Sequence, residues 1–348
     1  MSLQIEATSP ADLAGLIEFL TSVFHASPDA PFVDSRLMHW KYFERCEDWD
    51  GPRSFILKQG SEIVAHAGIV PVTFLRQDRE VRSIHLIDWA ASPSVPGAGV
   101  LSLRKAASLT DTLLAVGGST DTRQIMPKLG FKEKATLRVL ARVIRPWGQV
   151  SARALRDWNA PARFARNFVW SLTPAARVPR SWSVLPIHQF DESSAAVLPS
   201  RTAGEFTGCK RTPAMLNYML RCPGASFAAF VIMERERLLG YFILSWVGRQ
   251  CRIADAFVDS GIPADWRSAY ALATSTAADD PRTCEIEAAS SDPLAADAML
   301  QNGFRLRDQQ PVFLSDPKQI LSGSPPLRIG LLDGEGSYLN DPAHPFLT

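Results

Sequence analysis

The sequence predicts a mixed α/β fold in which one unit of helices and strands is written twice. Two observations predict it: paired strands lead into a strand–loop–helix–strand segment, and the same order of elements recurs further along the chain. A length of 348 residues agrees, because one hydrophobic core rarely organises so many. Hairpins beside a parallel crossover indicate a mixed α+β sheet and not a doubly wound one.

The elements of the first unit follow from local signals. Ser9 and Pro10 mark a helix start before apolar residues at helical spacing, and residues 34–43 form a second helical stretch. Apolar runs divided by polar turns predict strands at 54–58, 62–70, 72–76 and 81–90. A Pro/Gly loop, a helix, a short strand and a β-rich run follow at 92–99, 100–109, 113–116 and 137–144.

The second unit repeats this order. The hairpin centres near Leu57 and Val231 lie 174 residues apart, and the Gly-Phe pairs that begin at Gly130 and Gly303 lie 173 apart. Matching spacings in the same order indicate an internal duplication. We therefore predict four parts: a first domain at 1–145, a connector at 146–200, a degenerate second domain at 201–316 and a polar C-terminal tail at 317–348.

Two polar segments outside the predicted domains have competing interpretations. Residues 145–182 contain seven arginines among aromatic residues, with Asp157 as the one acidic residue. This composition suits weak contact with an anionic membrane surface, or contact with an anionic substrate, but we favour an interdomain helix whose aromatic side chains pack on both domains. In the tail, Asp-Gly-Glu-Gly at 333–336 is interpreted as a turn, because the other ligands of a calcium loop are missing.

Composition narrows the classes of protein. A formal net charge of +1 argues against a dedicated nucleic-acid binder, which needs an excess of Lys and Arg. Residues 1–10 show no signal peptide, and no apolar run has the length of a membrane span. Five scattered cysteines and six histidines form no disulfide framework and no metal motif. We therefore expect a soluble cytoplasmic protein without a metal.

The segment with the most chemical content is the strand, loop and helix at residues 87–105. A glycine-rich loop that opens a helix presents unpaired amides and the positive end of the helix dipole, which suit a pyrophosphate. The pair Gly97 and Gly99 is not a dinucleotide fingerprint, because Ser102 stands where a third glycine belongs. A P-loop is excluded, because no Lys-Ser/Thr follows the glycines.

In this context the segment resembles the acyl-CoA-binding motif of the GNAT (GCN5-related N-acetyltransferase) superfamily. In that family a strand runs into Gln/Arg-x-x-Gly-x-Gly/Ala, which reads Ser-Val-Pro-Gly-Ala-Gly at 94–99 here. The upstream hairpins, the strand at 113–116 and Leu-Gly-Phe at 129–131 also fall where the family has them. The resemblance covers roughly residues 1–145, and 200–315 in eroded form, and implies two GNAT-like domains in tandem.

The resemblance implies acetyl-CoA or another acyl-CoA as co-substrate. Backbone groups that would bind its pantetheine arm belong to Ala90, Ala91 and Ser92. The amides that would hold its pyrophosphate belong to Gly97, Ala98, Gly99 and Val100, and the residues that would pass near its thioester are Gly117, Gly118 and Ser119. Ser94 in place of Gln or Arg, and Pro96 without an amide hydrogen, depart from the pattern and weaken the expected affinity.

An amine that attacks a thioester must lose a proton, so the site needs a base. His85 and Asp88 near the end of the central strand are the candidates, and Asp88 is preferred because it is nearer the loop. Their spacing of three places them on opposite faces of a strand, so we expect only one to point into the site. The family's tyrosine acid is replaced by Met126, so another donor or water must serve.

The second unit has no comparable loop. Residues 259–266 carry one glycine and two carboxylates, which would repel a pyrophosphate. We predict that this unit has lost the cofactor site and shapes the acceptor cleft, where Asp255 either lines the cleft or supports the structure.

The predicted function is acyl transfer from acyl-CoA to an amine of a small molecule or glycan bound between the two domains. A non-catalytic acyl-CoA-binding or assembly protein is the first alternative, supported by Met126, Ser94 and Pro96. A FemABX-like aminoacyl transferase is the second, and the retained Gly97-x-Gly99 loop argues against it.

Overall fold

A computed structural model describes residues 3–46, 49–76, 79–150, 159–199 and 207–348. The first half contains β1 (Leu3–Ala7), α1 (Leu13–Val23), α2 (Ser35–Tyr42), β2 (Ser54–Gln59), β3 (Glu62–Arg76), β4 (Arg79–Ala91), α3 (Ala98–Ala107), β5 (Thr112–Val116), α4 (Thr120–Ile125) and β6 (Lys132–Val143). The second half contains α5 (Ala160–Ser171), β7 (Trp182–Ile187), β8 (Thr207–Cys209), α6 (Pro213–Leu220), β9 (Ser226–Glu234), β10 (Arg237–Val247), β11 (Gln250–Val258), α7 (Pro263–Asp279), β12 (Glu285–Ser290), α8 (Pro293–Gln301), β13 (Arg305–Ser315) and β14 (Leu327–Arg328).

Local chemistry explains where these elements begin. Asp34 caps α2, because its side chain accepts hydrogen bonds from two amides of the first turn. Ser9 and Pro10 start a short 3-10 turn, and α1 begins only at Leu13. The two predicted strands at 62–70 and 72–76 are one strand, β3, which continues through Pro71. There β3 pairs with β4 alone, so a residue without an amide hydrogen is tolerated.

The two halves share one sheet because they exchange their last strands. Along the sheet the order is β1-β2-β3-β4-β5-β13-β6-β12-β11-β10-β9-β7. β13, from the second half, lies between β5 and β6, and β6, from the first half, lies between β13 and β12. All of these exchanged pairings are antiparallel, whereas β4 with β5 and β11 with β12 are parallel. The predicted mixed α/β sheet is confirmed.

Each parallel pair separates after a short contact. β4 and β5 pair only over residues 83–85 and 112–114, and the remainder of β4 has no neighbour on that side. β11 and β12 likewise pair only over 250–253 and 285–288. Each half therefore contains a wedge-shaped gap at the carboxyl ends of its parallel strands.

Helices cover both faces of the sheet. In the first half α1 and α2 bury Leu16, Leu20 and Met38 on one face, while α3 buries Leu103 on the other. The halves also meet directly, because the rings of Trp40 and Tyr218 stack with centroids 4.5 Å apart.

The segments outside the predicted domains are folded into this architecture. β7, inside the predicted connector, pairs along β9 as the outer strand of the second half. The expectation of a polar tail at 317–348 was wrong, because Leu327, Ile329 and Leu331 pack in a core cluster with residues of both halves. Apolar residues at every second position bury this segment as part of the structure.

The arginine-rich connector has both a buried and an exposed side. Trp170 of α5 is 1% exposed, donates to the Gly303 carbonyl and lies under the guanidinium groups of Arg305 and Arg307. Trp147 is exposed and contacts Phe164. Weak contact with a membrane surface through residues 145–182 stays a prediction. In the described ranges no helix is both long and apolar enough to cross a membrane.

The strand exchange predicts that the halves unfold together. Leu140 is fully buried on β6 and pairs with Ala288 on one side and Leu306 on the other. Leu140→Ala should lower the free energy of unfolding by roughly 3 kcal/mol through lost burial and a cavity. Urea titration followed by hydrogen exchange and mass spectrometry would show equal losses for amides of β2 and of β10. A loss confined to β10 would contradict the shared unit.

Candidate active site

The gap between β4 and β5 opens into a cavity of about 430 Å³. Residues of β4, the end of β5 and the loop after it form one side. The other side is formed by residues 329–336, which come from the end of the chain. The C-terminal segment therefore completes a cavity whose other walls belong mainly to the first half, with Glu287 of β12 and Gln310 of β13 from the second.

A buried lysine organises the charges at this cavity. The ammonium group of Lys41, 1% exposed, lies 2.5 Å from Oδ2 of Asp88 and 2.7 Å from Oε1 of Glu335. The Tyr42 hydroxyl donates a hydrogen bond to the same Asp88 oxygen. Burial alone would raise the pKa of Asp88, but Lys41 and Tyr42 hold that pKa below its ordinary value. Asp88 therefore stays ionised and already has its partners.

Asp88 lies at a bulge that changes the direction of β4. Its φ is +46°, and the pairing between β3 and β4 gains one residue between Ala90 and Ile87. The expectation that His85 and Asp88 cannot both face the site was wrong, because the bulge breaks the alternation of side chains and both residues line the cavity.

Glu335 is the site residue that the sequence did not identify. Its carboxylate lines the cavity and is 20% exposed, with Lys41 as its cation. Burial and the nearby negative charge of Asp88 raise the pKa of Glu335 to about 7, against the opposing effect of Lys41. The available signal was the pair of flanking glycines. A side chain at Gly334 would place its Cβ 2.7 Å from Cε1 of His85, so the loop approaches the site closely.

His85 has one free acceptor nitrogen. Nδ1 lies 2.8 Å from the main-chain carbonyl of Asp333, and since a carbonyl only accepts, Nδ1 carries the hydrogen. Burial lowers the pKa of His85, so the ring is neutral and Nε2 keeps its lone pair. This orientation makes His85 a hydrogen-bond acceptor at the cavity wall.

The predicted phosphate loop leads directly into α3, with Gly97 as the residue before the first turn of the helix. Gly97 has a φ of +84°, and a Cβ there would meet nothing within 4 Å. The amides of Gly99 and Val100 have no acceptor among the described residues, whereas the Ala98 amide already donates to Val95. The Ala98 amide, which we predicted to hold the pyrophosphate, therefore already has an acceptor. The indole of Trp89 donates to the Gly99 carbonyl and ties this loop to β4.

Backbone direction separates the three residues predicted to bind a pantetheine arm. The Ser92 amide donates to Val64 of the neighbouring segment, so Ser92 pairs on the β3 side. Amide directions alternate along a strand, and therefore Ala90 also faces β3 while Ala91 faces the gap. Ala91 is the residue of the three whose polar backbone groups are available at the gap.

The loop after β5 turns away beside the cavity. Gly117 and Gly118 have φ values of +66° and +86°, which other residues rarely adopt. Ser119 lines the cavity, and its hydroxyl accepts from the Thr122 amide. Met126 also lines the cavity and brings no hydroxyl to the position of the family's acid.

The corresponding gap of the second half is filled by the chain itself. Arg328 lies 4.5 Å from the Trp266 ring centroid and is paired with Asp292, while Ile329 exchanges hydrogen bonds with Ser291. The cavity that remains there measures about 60 Å³. Asp255 faces it and is bound by Arg211. Residues 327–330 thus occupy the space that a ligand arm would need.

Potential metal ligands do not cluster in the parts of the chain that the structure describes. There, no three or more His, Cys, Asp or Glu side chains are placed to hold an ion. The carboxylates of the cavity are instead paired with buried cations, namely Lys41, Arg211 and Arg252.

Comparison with known proteins found similar solved structures, while no protein-family model and no curated protein matches the sequence. A GCN5-related N-acetyltransferase from Anabaena variabilis is 14% identical, with a TM-score of 0.60 over 90% of this chain and 72% of that one. One from Kribbella flavida is 14% identical, with a TM-score of 0.54 over 90% and 71%. A probable N-acyltransferase from Enterococcus faecalis, described as of unknown function, is 10% identical, with a TM-score of 0.55 over 90% and 72%. At these identities the likeness concerns the fold.

The site predicts a specific acid sensitivity. His66 is fully buried, with Nδ1 2.7 Å from the Asp88 carbonyl and Nε2 2.9 Å from the Ser54 hydroxyl, and burial lowers its pKa to about 4. A histidine whose pKa is lowered in the folded state stabilises the fold above pH 6.5 and loses this contribution as pH falls toward 4. Urea titrations between pH 7 and 4.5 should show a shallower loss for His66→Gln. Equal slopes would contradict this assignment.

Proposed function

We propose that this chain, which has the fold of the GCN5-related N-acetyltransferases, transfers an acyl group from acyl-CoA to an amine. The observation that carries this proposal is the carboxylate of Glu335. Its pKa of about 7 is matched to proton transfer near neutral pH, and it lines the cavity into which the gap between β4 and β5 opens. The proposed base therefore lies in the same cavity that a thioester would enter through the gap between β4 and β5.

The residues around the gap fit acyl-CoA. The amides of Gly97, Gly99 and Val100 at the start of α3 suit the pyrophosphate, and the backbone of Ala91 suits the amide groups of the pantetheine arm. Bound acyl-CoA would supply an activated acyl carbon, where a C–N bond forms as the C–S bond breaks and the thiol leaves. Acetyl-CoA is the first co-substrate to test, followed by longer acyl chains.

The side chains of the cavity divide the proton chemistry. In our proposal Glu335 takes the proton of the attacking amine, and Nε2 of the neutral His85 accepts a hydrogen bond that orients it. Asp88, the predicted base, is assigned the role of holding Lys41 and Tyr42. Its pKa is held below the ordinary value and its side chain is 6% exposed, whereas the pKa of Glu335 is raised and its side chain is 20% exposed. Its role as a base stays a prediction that the Asn variant tests.

The departing sulfur needs little help. A thiol has a pKa of roughly 8.5, so thiolate leaves without a strong acid and takes its proton afterwards. Met126 at the acid position is compatible with transfer on these terms. The same residue favours the alternative of an acyl-CoA-binding protein without turnover, which would bind the cofactor and release no thiol.

The charges of the cavity favour a cationic acceptor. Glu335 and Asp88 line it and share one cation, Lys41, so their charges are not fully balanced when both are ionised. Glu287 also lines the cavity but is paired with Arg252, and the lining contains no arginine or lysine among the described residues. We therefore propose an amine of a small molecule or glycan, bound between the first-half wall and residues 329–336. Desolvation of such an amine next to Glu335 would favour its neutral, attacking form as the proton passes to the carboxylate.

Removing the carboxylate of Glu335 should abolish most of the turnover. Glu335→Gln keeps the shape but takes up no proton, so kcat should fall 100-fold or more. Asp88→Asn should lower kcat less than Glu335→Gln, because Asp88 acts through Lys41. Thiol release from acetyl-CoA over a panel of amines measures both. A larger loss in Asp88→Asn would return the role of base to Asp88.

The wild-type pH profile should identify the same group. A base works only when ionised, so kcat/KM should fall as pH drops below about 7 and level off above it. This acidic limb should be absent from the residual activity of Glu335→Gln. A limb that persists unchanged in the variant would assign the titration to another residue.

A matched pair of glycine variants tests the phosphate loop. Gly97→Asp places a carboxylate among the loop amides, so acetyl-CoA should no longer raise the melting temperature. Gly248→Asp is the control, because Gly248 also has a positive φ and open space around a Cβ but lies in the β10–β11 turn. If both variants lose the CoA-dependent rise in melting temperature, the loss in Gly97→Asp comes from backbone strain and not from a lost phosphate site.

A further inference from the structure

The loop at residues 330–336 carries two groups of the proposed site but has little regular structure of its own. It supplies Glu335 and the Asp333 carbonyl that orients His85. Two short 3-10 turns, Leu331–Asp333 and Glu335–Ser337, are its secondary structure. Its position therefore depends on side chains that hold it from outside.

We infer that Arg211 of the second half is a positioning residue that fixes this loop and, through it, Glu335 and His85. Nη1 of Arg211 lies 2.7 Å from Oδ1 of Asp333, and Nε lies 2.8 Å from Oδ2 of Asp255. Its side chain is 5% exposed, so both contacts are shielded from water. The consequence for turnover rests on the proposed function, whereas the consequence for His85 does not.

Asp333 transmits the contact with Arg211 to the backbone of the loop. Its second carboxylate oxygen, Oδ2, accepts from the Gly330 amide at 2.7 Å, so the side chain closes the turn that its own backbone belongs to. The main-chain carbonyl of the same residue accepts from His85. A shift of the Asp333 side chain would therefore move the carbonyl on which the His85 hydrogen depends, and Glu335 is two residues further.

Asp255 explains why an arginine stands at this position. The Tyr241 hydroxyl donates to Oδ2 of Asp255 at 2.7 Å, so this carboxylate is itself fixed within the second half. The fork of a guanidinium group binds two carboxylates through different nitrogens, which one ammonium group does less rigidly. Arg211 thus connects a fixed point on β11 to Asp333 of the loop.

The loop is held in the same way from the first half. Lys41 joins Asp88, beside the bulge of β4, to Glu335, and Arg211 joins Asp255, beside a bulge of β11, to Asp333. Each half therefore contributes one buried cation that links a strand carboxylate to this loop. The second half, whose own gap is filled, acts on the site through Arg211.

The activity test compares two buried arginines. Arg211→Lys should lower kcat at least tenfold and change the KM for acetyl-CoA less than twofold, because the phosphate loop lies elsewhere. Arg142→Lys is the control. Arg142 is also buried and joins two segments through the carbonyls of Asn302 and Thr173, but neither carbonyl belongs to the loop at residues 330–336. Its kcat should stay within twofold of wild type below its melting temperature.

A double variant separates positioning from general damage. Asp333→Asn weakens the same contact from the other side and keeps an acceptor for Gly330, so it serves if Arg211→Lys fails to fold. The losses in kcat of Arg211→Lys and Asp333→Asn should not add in the double variant, since both break one interaction. Additive losses, or equal losses in kcat for Arg211→Lys and Arg142→Lys, would overturn the proposal.

A spectroscopic readout tests the inference without any turnover. Nitrogen-15 NMR of histidine-labelled protein, assigned with His85→Gln, should show the Nδ1–H tautomer for His85 in the wild type. Arg211→Lys and Asp333→Asn should mix the two tautomers, and Arg142→Lys should leave the spectrum unchanged. An unchanged His85 signal in both loop variants would overturn the role of Arg211. If the His85 signal changes in these variants as expected but the wild type releases no thiol, the proposed function is wrong and the role of Arg211 stands.

Discussion

The exchange of β6 and β13 is the constraint on which the rest of the molecule depends. Because β13 pairs with both β5 and β6, the sheet runs unbroken through both halves, and the chain leaves β13 beside the amino end of β5, where β4 and β5 are still paired. Residues 327–336 then run along the gap of the second half and end at the gap of the first. Glu335 thus reaches the cavity from a segment that follows a strand paired with the first half.

The same constraint divides the work between two similar units. The first half keeps the open gap, the loop of Gly97 and Gly99 and the free amides at the start of α3. The second half has one glycine, Gly261, in the loop after β11, and Arg328 lies on Trp266 where a ligand arm would enter. Its contribution is the C-terminal segment and the residues that hold it. In our proposal the second half thus supports the site of the first half and binds no cofactor of its own.

Much of the fold was predictable from the sequence, and the GNAT fold is confirmed, because helical and strand periods and turn residues are local signals. The site was less accessible. A lysine in α2 and a glutamate near the end of the chain look like solvent-exposed charges in a sequence, since only the fold reveals that Lys41 and Glu335 are partners in a buried cluster. The bulge at Asp88 has no glycine to mark it, so strand alternation gave the wrong face. The strand exchange cannot be read from the sequence. The apolar periodicity of β6 and β13 is the same whether each strand pairs within its own half or with the other half.

Because β13 comes late in the chain, its pairing partner β5 is synthesised long before it. The edge of β5 is complete about 190 residues before β13 begins, which at 5–20 residues per second is on the order of ten to forty seconds of open edge. During that interval β6 is the nearest free strand, and pairing it directly with β5 would close the first half as a single unit. A nascent chain that does so has to reopen that edge before β13 can enter. The enclosed position of one late strand thus makes the order of folding a condition for bringing Glu335 to the cavity.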